Sequence, residues 1–373
     1  MTPPAPFRLL MTTDAVGGVW TFATTLARGL AERGIEVLLV SQGPAPDAEQ
    51  QAEVAGIPGL RLEVTDLALE WMDKDGRDRP RAREVLREIE TAWRPDLVHL
   101  NSYREAGIGW AAPVLVTAHS CVGSWWRACR GDPVAAEWAR YMSAVVEGMA
   151  AAKIVTAPTR AMLESFTRLY GYDGPTAVIP NGIELALPAR ERRPFIAAAG
   201  RLWDEAKNMG VLNDVAPDIP WPIHALGPVR GPNGAAAGFR NLVLRGNLPR
   251  ADFLATLAEA EVFAAPALYE PFGLAVLEAA RCGAALVLSD IPTFRELWEG
   301  AALFVPARER GAWRDALLRV AGNPLLRREL QQQAQGRARR YGSEQMIRTY
   351  AAHYAALSLR PLAAAKTMEG TQS

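Results

Sequence analysis

Apolar runs of three to six residues recur along the chain, and helix-length segments separate them. Phe7–Met11, Ile35–Val40, Pro95–Leu100, Val114–Thr117 and Ile154–Ala157 occupy the first half. Phe195–Ala199, Trp221–Leu226, Leu242–Leu244, Val262–Ala265, Leu286–Leu288 and Leu303–Val305 occupy the second. Near-continuous apolar runs, rather than alternating ones, predict strands buried on both faces of a parallel sheet. Between them the spacing predicts helices over Val19–Arg33, Pro133–Ala152, Thr159–Tyr170 and Pro249–Ala260, then Glu309–Tyr341 and Ser343–Leu357. Thr159 reads as an N-cap and Gly171 as a stop. Strands alternating with helices throughout imply an α/β protein of two parallel-sheet domains facing across a cleft. The predicted division is 1–187, 188–342, a crossover helix at 343–358, and a disordered tail at 359–373. Proline-bounded Pro188–Pro194 reads as the linker.

The most informative stretch is Ala265–Ala284, APALYEPFGLAVLEAARCGA. A strand ends, Pro266 and Pro271 bracket a loop, Gly273 opens a helix and Gly283 closes it. That helix is apolar on every face, so it is buried and Glu278 lies among core residues. An unpartnered polar group there costs about 2–7 kcal/mol, so Glu278 needs a partner. Arg281 or Arg295 could serve, or a ligand with paired hydroxyls such as a ribose. Glu270 stands in the loop above a helix N-terminus, where an open α/β sheet binds ligands.

Composition narrows the field. The 373 residues allow two domains, and Lys+Arg balance Asp+Glu at 41 each. No global charge therefore favours nucleic acid or an anionic membrane. Cys121, Cys129 and Cys282 are scattered, and no CxxC or HExxH spacing suggests a metal. A cytoplasmic location fits, with no signal peptide and no apolar run of about 18 residues that would span a membrane. Peripheral contact at the inner membrane face stays open. Trp71–Arg94 carries six arginines and six acids. It reads as a solvated helix with i,i+4 pairs, or as a membrane-facing one. Asp73-Lys74-Asp75 spells D-x-D, but it lies in a charged loop and is discounted as a metal site. Cys121–Arg130, CVGSWWRACR, reads as a loop, either packed on the neighbouring domain or forming an acceptor wall.

Glu270 and Glu278, seven residues apart around Pro271-Phe272-Gly273-Leu274, resemble the E-x7-E signature of the retaining nucleotide-sugar glycosyltransferases of family 4, whose fold is GT-B. Gly200-Arg201-Leu202 followed by Lys207 strengthens the resemblance, as does V-I-P-N-G-I at Val178–Ile183, which closes the N-terminal domain in that family. The family pattern also places a glycine pair after the first strand, here Gly17-Gly18, and a histidine after a later one, here His119.

The resemblance implies that Glu278 binds the ribose of a nucleotide-sugar donor and Glu270 the donor sugar. Arg201 and Lys207 would hold the diphosphate, and His119 the sugar near its anomeric carbon. Gly17 and Gly18 would face the diphosphate, although a plain tight turn would also explain them. Phe272, Gly273 and Leu274 would line the donor loop. His99 looks structural. No cofactor or metal is implied, because the two cations replace it. The acceptor would be a saccharide, a lipid-linked sugar or a small metabolite, with no nucleic acid. Rival readings are a nucleotide-sugar epimerase and a non-catalytic nucleotide-sugar-binding module. A dinucleotide oxidoreductase is disfavoured, since Asp14–Gly18 is not GxGxxG.

Overall fold

The computed structural model describes residues 6–185 and 190–358. The 187/188 boundary, the first residues of the linker and the tail from 359 lie outside them. The first half holds β1 Arg8–Asp14, β2 Glu36–Gln42, β3 Leu60–Val64, β4 Leu97–Leu100, β5 Val114–Thr117, β6 Ile154–Ala157 and β7 Thr176–Val178. The second holds β8 Arg193–Ala199, β9 Ile223–Leu226, β10 Val243–Gly246, β11 Ala260–Ala265, β12 Ala285–Ser289 and β13 Leu303–Val305. Among the described residues they form two sheets, ordered β3-β2-β1-β4-β5-β6-β7 and β10-β9-β8-β11-β12-β13, with every pairing parallel.

Each sheet is covered on both faces, which is why β4, β5 and β6 are buried along their whole length. In each sheet the strand order reverses beside the first strand of its half, between β1 and β4 and between β8 and β11. Such switch points open a crevice beyond the carboxyl ends of the strands, where ligands bind.

The last helix, Ser343–Leu357, returns to the first sheet and lies on the helix Gly18–Ala31. Its Tyr354 hydroxyl is 2.7 Å from His99 Nδ1, and His99 Nε2 is 2.7 Å from Thr117 Oγ1. Burial pushes the His99 pKa well below its ordinary value, so it stays neutral within this network. The return begins where Ile183 N–H donates to Tyr341 O at 3.2 Å. Both chain crossings between the halves therefore lie side by side.

Several elements differ from the sequence expectation. Cys121–Arg130 is no loop: Val122–Arg130 is a helix, and Cys121 Sγ accepts from Ser124 N at 3.3 Å as its cap. Sulfur is a weak acceptor, so the cap carries little sequence signal. The helix expected from Pro133 starts at Ala139 and is preceded by a 3₁₀ turn at Ala136–Trp138. The segment Glu309–Tyr341 breaks into Arg310–Gly322 and Pro324–Ala338. Asn323 caps the second helix through Leu325 N and Leu326 N, and Pro324 sits in its first turn. A short helix, Ala48–Val54, went unpredicted.

The charged region 71–94 is a solvated helix only in part, with Arg81, Arg83, Glu84 and Glu88 exposed. Its helix runs only over Arg79–Trp93, and Arg79 pairs outside it with Glu147 at 2.6 Å. Glu90 is buried and accepts from Ala111 N and Ala112 N at 2.8 and 3.1 Å. Asp73 of the D-x-D is held by Arg104 at 2.7 Å, which accounts for that acid structurally.

Candidate active site

The carboxyl ends of β8 and β11 carry most of the site. After β8, Gly200-Arg201 leads into a 3₁₀ turn at Glu205–Lys207. After β11, the loop 266–273 leads into the helix Leu274–Arg281. The two join at one contact, where Lys207 Nζ lies 2.5 Å from Glu270 Oε2. Arg201 donates from Nη2 to Asp204 Oδ2 at 2.8 Å. Burial alone would raise the Asp204 pKa. The Arg201 charge, the Trp125 N–H and the Lys207 charge outweigh it and hold the carboxyl below its ordinary value. Among the described residues Arg201 Nε is buried without a hydrogen-bond partner.

Opposite Arg201 stands the glycine pair. A Cβ on Gly17 would sit 3.1 Å from Arg201 Nη1, and one on Gly18 would sit 3.3 Å from Leu274 Cδ1. Gly17 has φ −169°, which any residue adopts, so close approach between the two halves explains the pair. Gly273 differs: at φ 87° it opens its helix in a conformation that glycine takes without strain. Phe272 turns away. Its ring is buried in the second domain's core, edge-on to Tyr341 at 5.8 Å, so only its backbone is available to a donor. The loop is clamped from both sides, with Thr293 Oγ1 donating to Glu270 O at 2.6 Å and Thr159 Oγ1 to Pro271 O at 3.0 Å.

Glu278 is buried as its helix requires, but its partner is neither Arg281 nor Arg295. Arg250, from the helix Arg250–Glu259, reaches it at 2.6 Å. Burial raises the Glu278 pKa and Arg250 opposes the rise. Arg295 is engaged by Asp290 and Glu299. Arg250 carried no local signal, being one arginine at a helix start 28 residues from the acid it serves.

His119 follows β5, and its Nε2 lies 2.9 Å from Asn101 Oδ1. Asn101 Nδ2 donates to Thr12 O at 2.7 Å, and a carbonyl can only accept, so Asn101 Oδ1 must accept too. The proton therefore sits on His119 Nε2, and Nδ1 is the acceptor nitrogen. Burial drives the His119 pKa down to about 3, so the ring is neutral near pH 7. Asp14, at the end of β1, was no site candidate in the sequence. Burial raises its pKa, against the pull of the Val16 and Gly17 N–H groups and the Arg201 charge. Among the described residues no helix is long and apolar enough to cross a membrane.

Comparison with known proteins agrees with this architecture. Residues 16–187 match Glycosyltransferase Family 4, and residues 193–323 match Glycosyl transferases group 1. A D-inositol 3-phosphate glycosyltransferase of Xylanimonas cellulosilytica is 27% identical over 377 residues, covering 88% of this chain and 89% of the relative. The solved sucrose-phosphate synthase of Thermosynechococcus elongatus superposes with a TM-score of 0.76 at 20% identity, over 94% of this chain and 99% of that one. The Anabaena protein HepE in complex with UDP-glucose gives 0.72 at 18% identity, over 94% and 100%. With both halves matched in the order of the two sheets, the chain belongs to the GT-B glycosyltransferases.

Proposed function

We propose that this enzyme moves a hexose-type sugar from a nucleoside-diphosphate sugar to a hydroxyl acceptor, with retention of anomeric configuration. The observation that carries the reading is the meeting of Arg201, Lys207 and Glu270 at the β8 and β11 strand ends, opposite Gly17. A departing diphosphate gathers negative charge in the transition state, and fixed cations in a water-poor cleft stabilise it. Arg201 offers a planar fork and Lys207 a point charge, enough for two phosphates without a metal.

Glu278, already steadied by Arg250, accepts the ribose hydroxyls, and Glu270 accepts donor-sugar hydroxyls. The backbone at Gly17, Gly18, Phe272, Gly273 and Leu274 frames the donor. His119, neutral, accepts a hydrogen bond from a sugar hydroxyl at Nδ1 and is no general acid. The acceptor oxygen bonds to the anomeric carbon on the face from which the phosphate oxygen leaves. The acceptor proton passes to that phosphate oxygen. The first half, 1–187, binds the acceptor, and the second, 188–342, binds the donor. The inositol-phosphate relatives favour a small polyhydroxylated acceptor over a polymer. Three buried free cysteines suit a reducing cytoplasm.

The test is nucleotide release from UDP-, GDP- and ADP-sugars without acceptor, with and without EDTA. One donor should be hydrolysed slowly and EDTA should change nothing. Glu278→Gln should raise the donor KM about tenfold, as loss of a charged hydrogen bond predicts. Failure of every donor to release nucleotide would overturn the reading.

A further inference from the structure

The helix Val122–Arg130 belongs to the first half but is gripped by the second at three places. Trp125 Nε1 donates to Asp204 Oδ1 at 2.9 Å. Arg130, stacked over the Trp125 and Trp126 rings at 5.3 and 4.9 Å, pairs with Glu205 at 3.0 Å. Arg308 Nη2 donates to Ala128 O and Cys129 O, carbonyls in the last turn of the helix, at 3.1 and 2.8 Å.

All but the last of these contacts fall on the segment 201–207, which carries Arg201 at one end and Lys207 at the other. Asp204 is its hub. Its side chain is only 6% exposed. One oxygen accepts from Trp125 and from Ala206 N at 3.0 Å, and the other from Arg201. The Trp125 N–H reaches Asp204 only while the halves are together, the same condition that brings Gly17 against Arg201.

We propose that Trp125 is a positioning residue: through Asp204 it fixes the Arg201 guanidinium toward the diphosphate when the two domains close. The indole N–H occupies one carboxylate oxygen and thereby leaves Arg201 a single anchor on the other. A single anchor keeps the remaining Nη hydrogens for the phosphates. When the domains part, that oxygen keeps only the Ala206 N–H, and the lone pair Trp125 gives up is free to draw the guanidinium into a two-point pair and away from the leaving group. Closure and electrostatic readiness are thus coupled by one side chain, in keeping with closure as a gate on catalysis. This rests on the function proposed above, because it takes Arg201 as a diphosphate ligand.

The experiment compares wild type with Trp125→Phe, which keeps the ring and removes the N–H. In the protein alone, hydrogen exchange of amides 201–207 should quicken several-fold in the variant, with β8 and β11 unchanged. With the donor hydrolysed by wild type, kcat should fall about tenfold at an unchanged donor KM. Arg130→Gln, at an exposed position, should shift both readouts the same way by less, and it serves if Trp125→Phe does not fold. Unchanged exchange at 201–207, or a raised KM with unchanged kcat, would overturn the inference. A wild type that hydrolyses no donor sinks the functional reading instead, and exchange then decides whether Trp125 holds this segment.

Discussion

Two charged clusters in this molecule invite comparison. At the ends of β8 and β11, Arg201, Lys207 and Arg250 are 35%, 15% and 44% exposed at their side chains, and each holds one carboxylate. Beyond β3 and β4, Arg104 is 3% exposed and sits between Asp73 and Glu105 at 2.7 and 2.6 Å. Glu70 beneath it accepts from Tyr103 N and Arg104 N at 3.0 and 3.1 Å. The first cluster keeps donors within reach of a ligand, whereas the second spends its charges on its own loops. Exposure of the cations, rather than charge alone, separates the proposed donor-binding cluster from the framework one.

That distinction can be broken by substitution. Arg104→Met leaves two buried acids without their cation and should destabilise the protein by about 3–5 kcal/mol in urea unfolding. Donor hydrolysis by the folded fraction should stay near wild type. Lys207→Ala should do the reverse, cutting turnover about 10²–10³-fold with little change in melting temperature. If Arg104→Met abolished hydrolysis in well-folded protein, the framework cluster would be part of the site.

The smallest effect is a slope. Burial, and then the neighbouring Glu105, push the Glu70 pKa from its ordinary 4.5 up to about 8. Between those values the native state keeps a proton that the unfolded chain has lost, so Glu70 makes stability fall as pH rises through the window. Glu70→Gln should flatten that fall by about 1.4 kcal/mol per pH unit, measured as unfolding free energy at pH 5, 6 and 7. An unchanged slope would mean that Glu70 is ionised throughout.

The difference between the clusters also explains what the sequence disclosed. Glu270, Glu278, Arg201 and Lys207 each stand within 13 residues of the end of β8 or β11, in short motifs, so their neighbourhood could be read along the chain. Arg250, Asp204 and Trp125 act through partners 28, 3 and 79 residues away. Only Asp204 lay inside a recognised motif. The central strands were legible because burial on both faces makes them apolar throughout, whereas β3, with Arg61 and Glu63, and the short β7 were not. The helix Val122–Arg130 was not, since its cap is a thiol and two tryptophans disguise its register. Phe272 was legible as part of a motif but not in its direction, because a motif does not say which face of a loop meets the core.

The returning helix has a consequence for how the protein is made. Tyr350 and Tyr354, both fully buried, complete a surface whose other members, His99, Thr117 and Thr156, were synthesised some two hundred residues earlier. At about 5–20 residues per second, the first domain emerges from the ribosome on the order of 10–30 s before the helix that finishes it. During that interval a polar network built for burial faces solvent. A chain stopped at residue 342 should reproduce this state permanently and be cut by protease far faster than the whole protein. The first domain is the first to be born and the last to mature, so its folding waits on the correct completion of its neighbour.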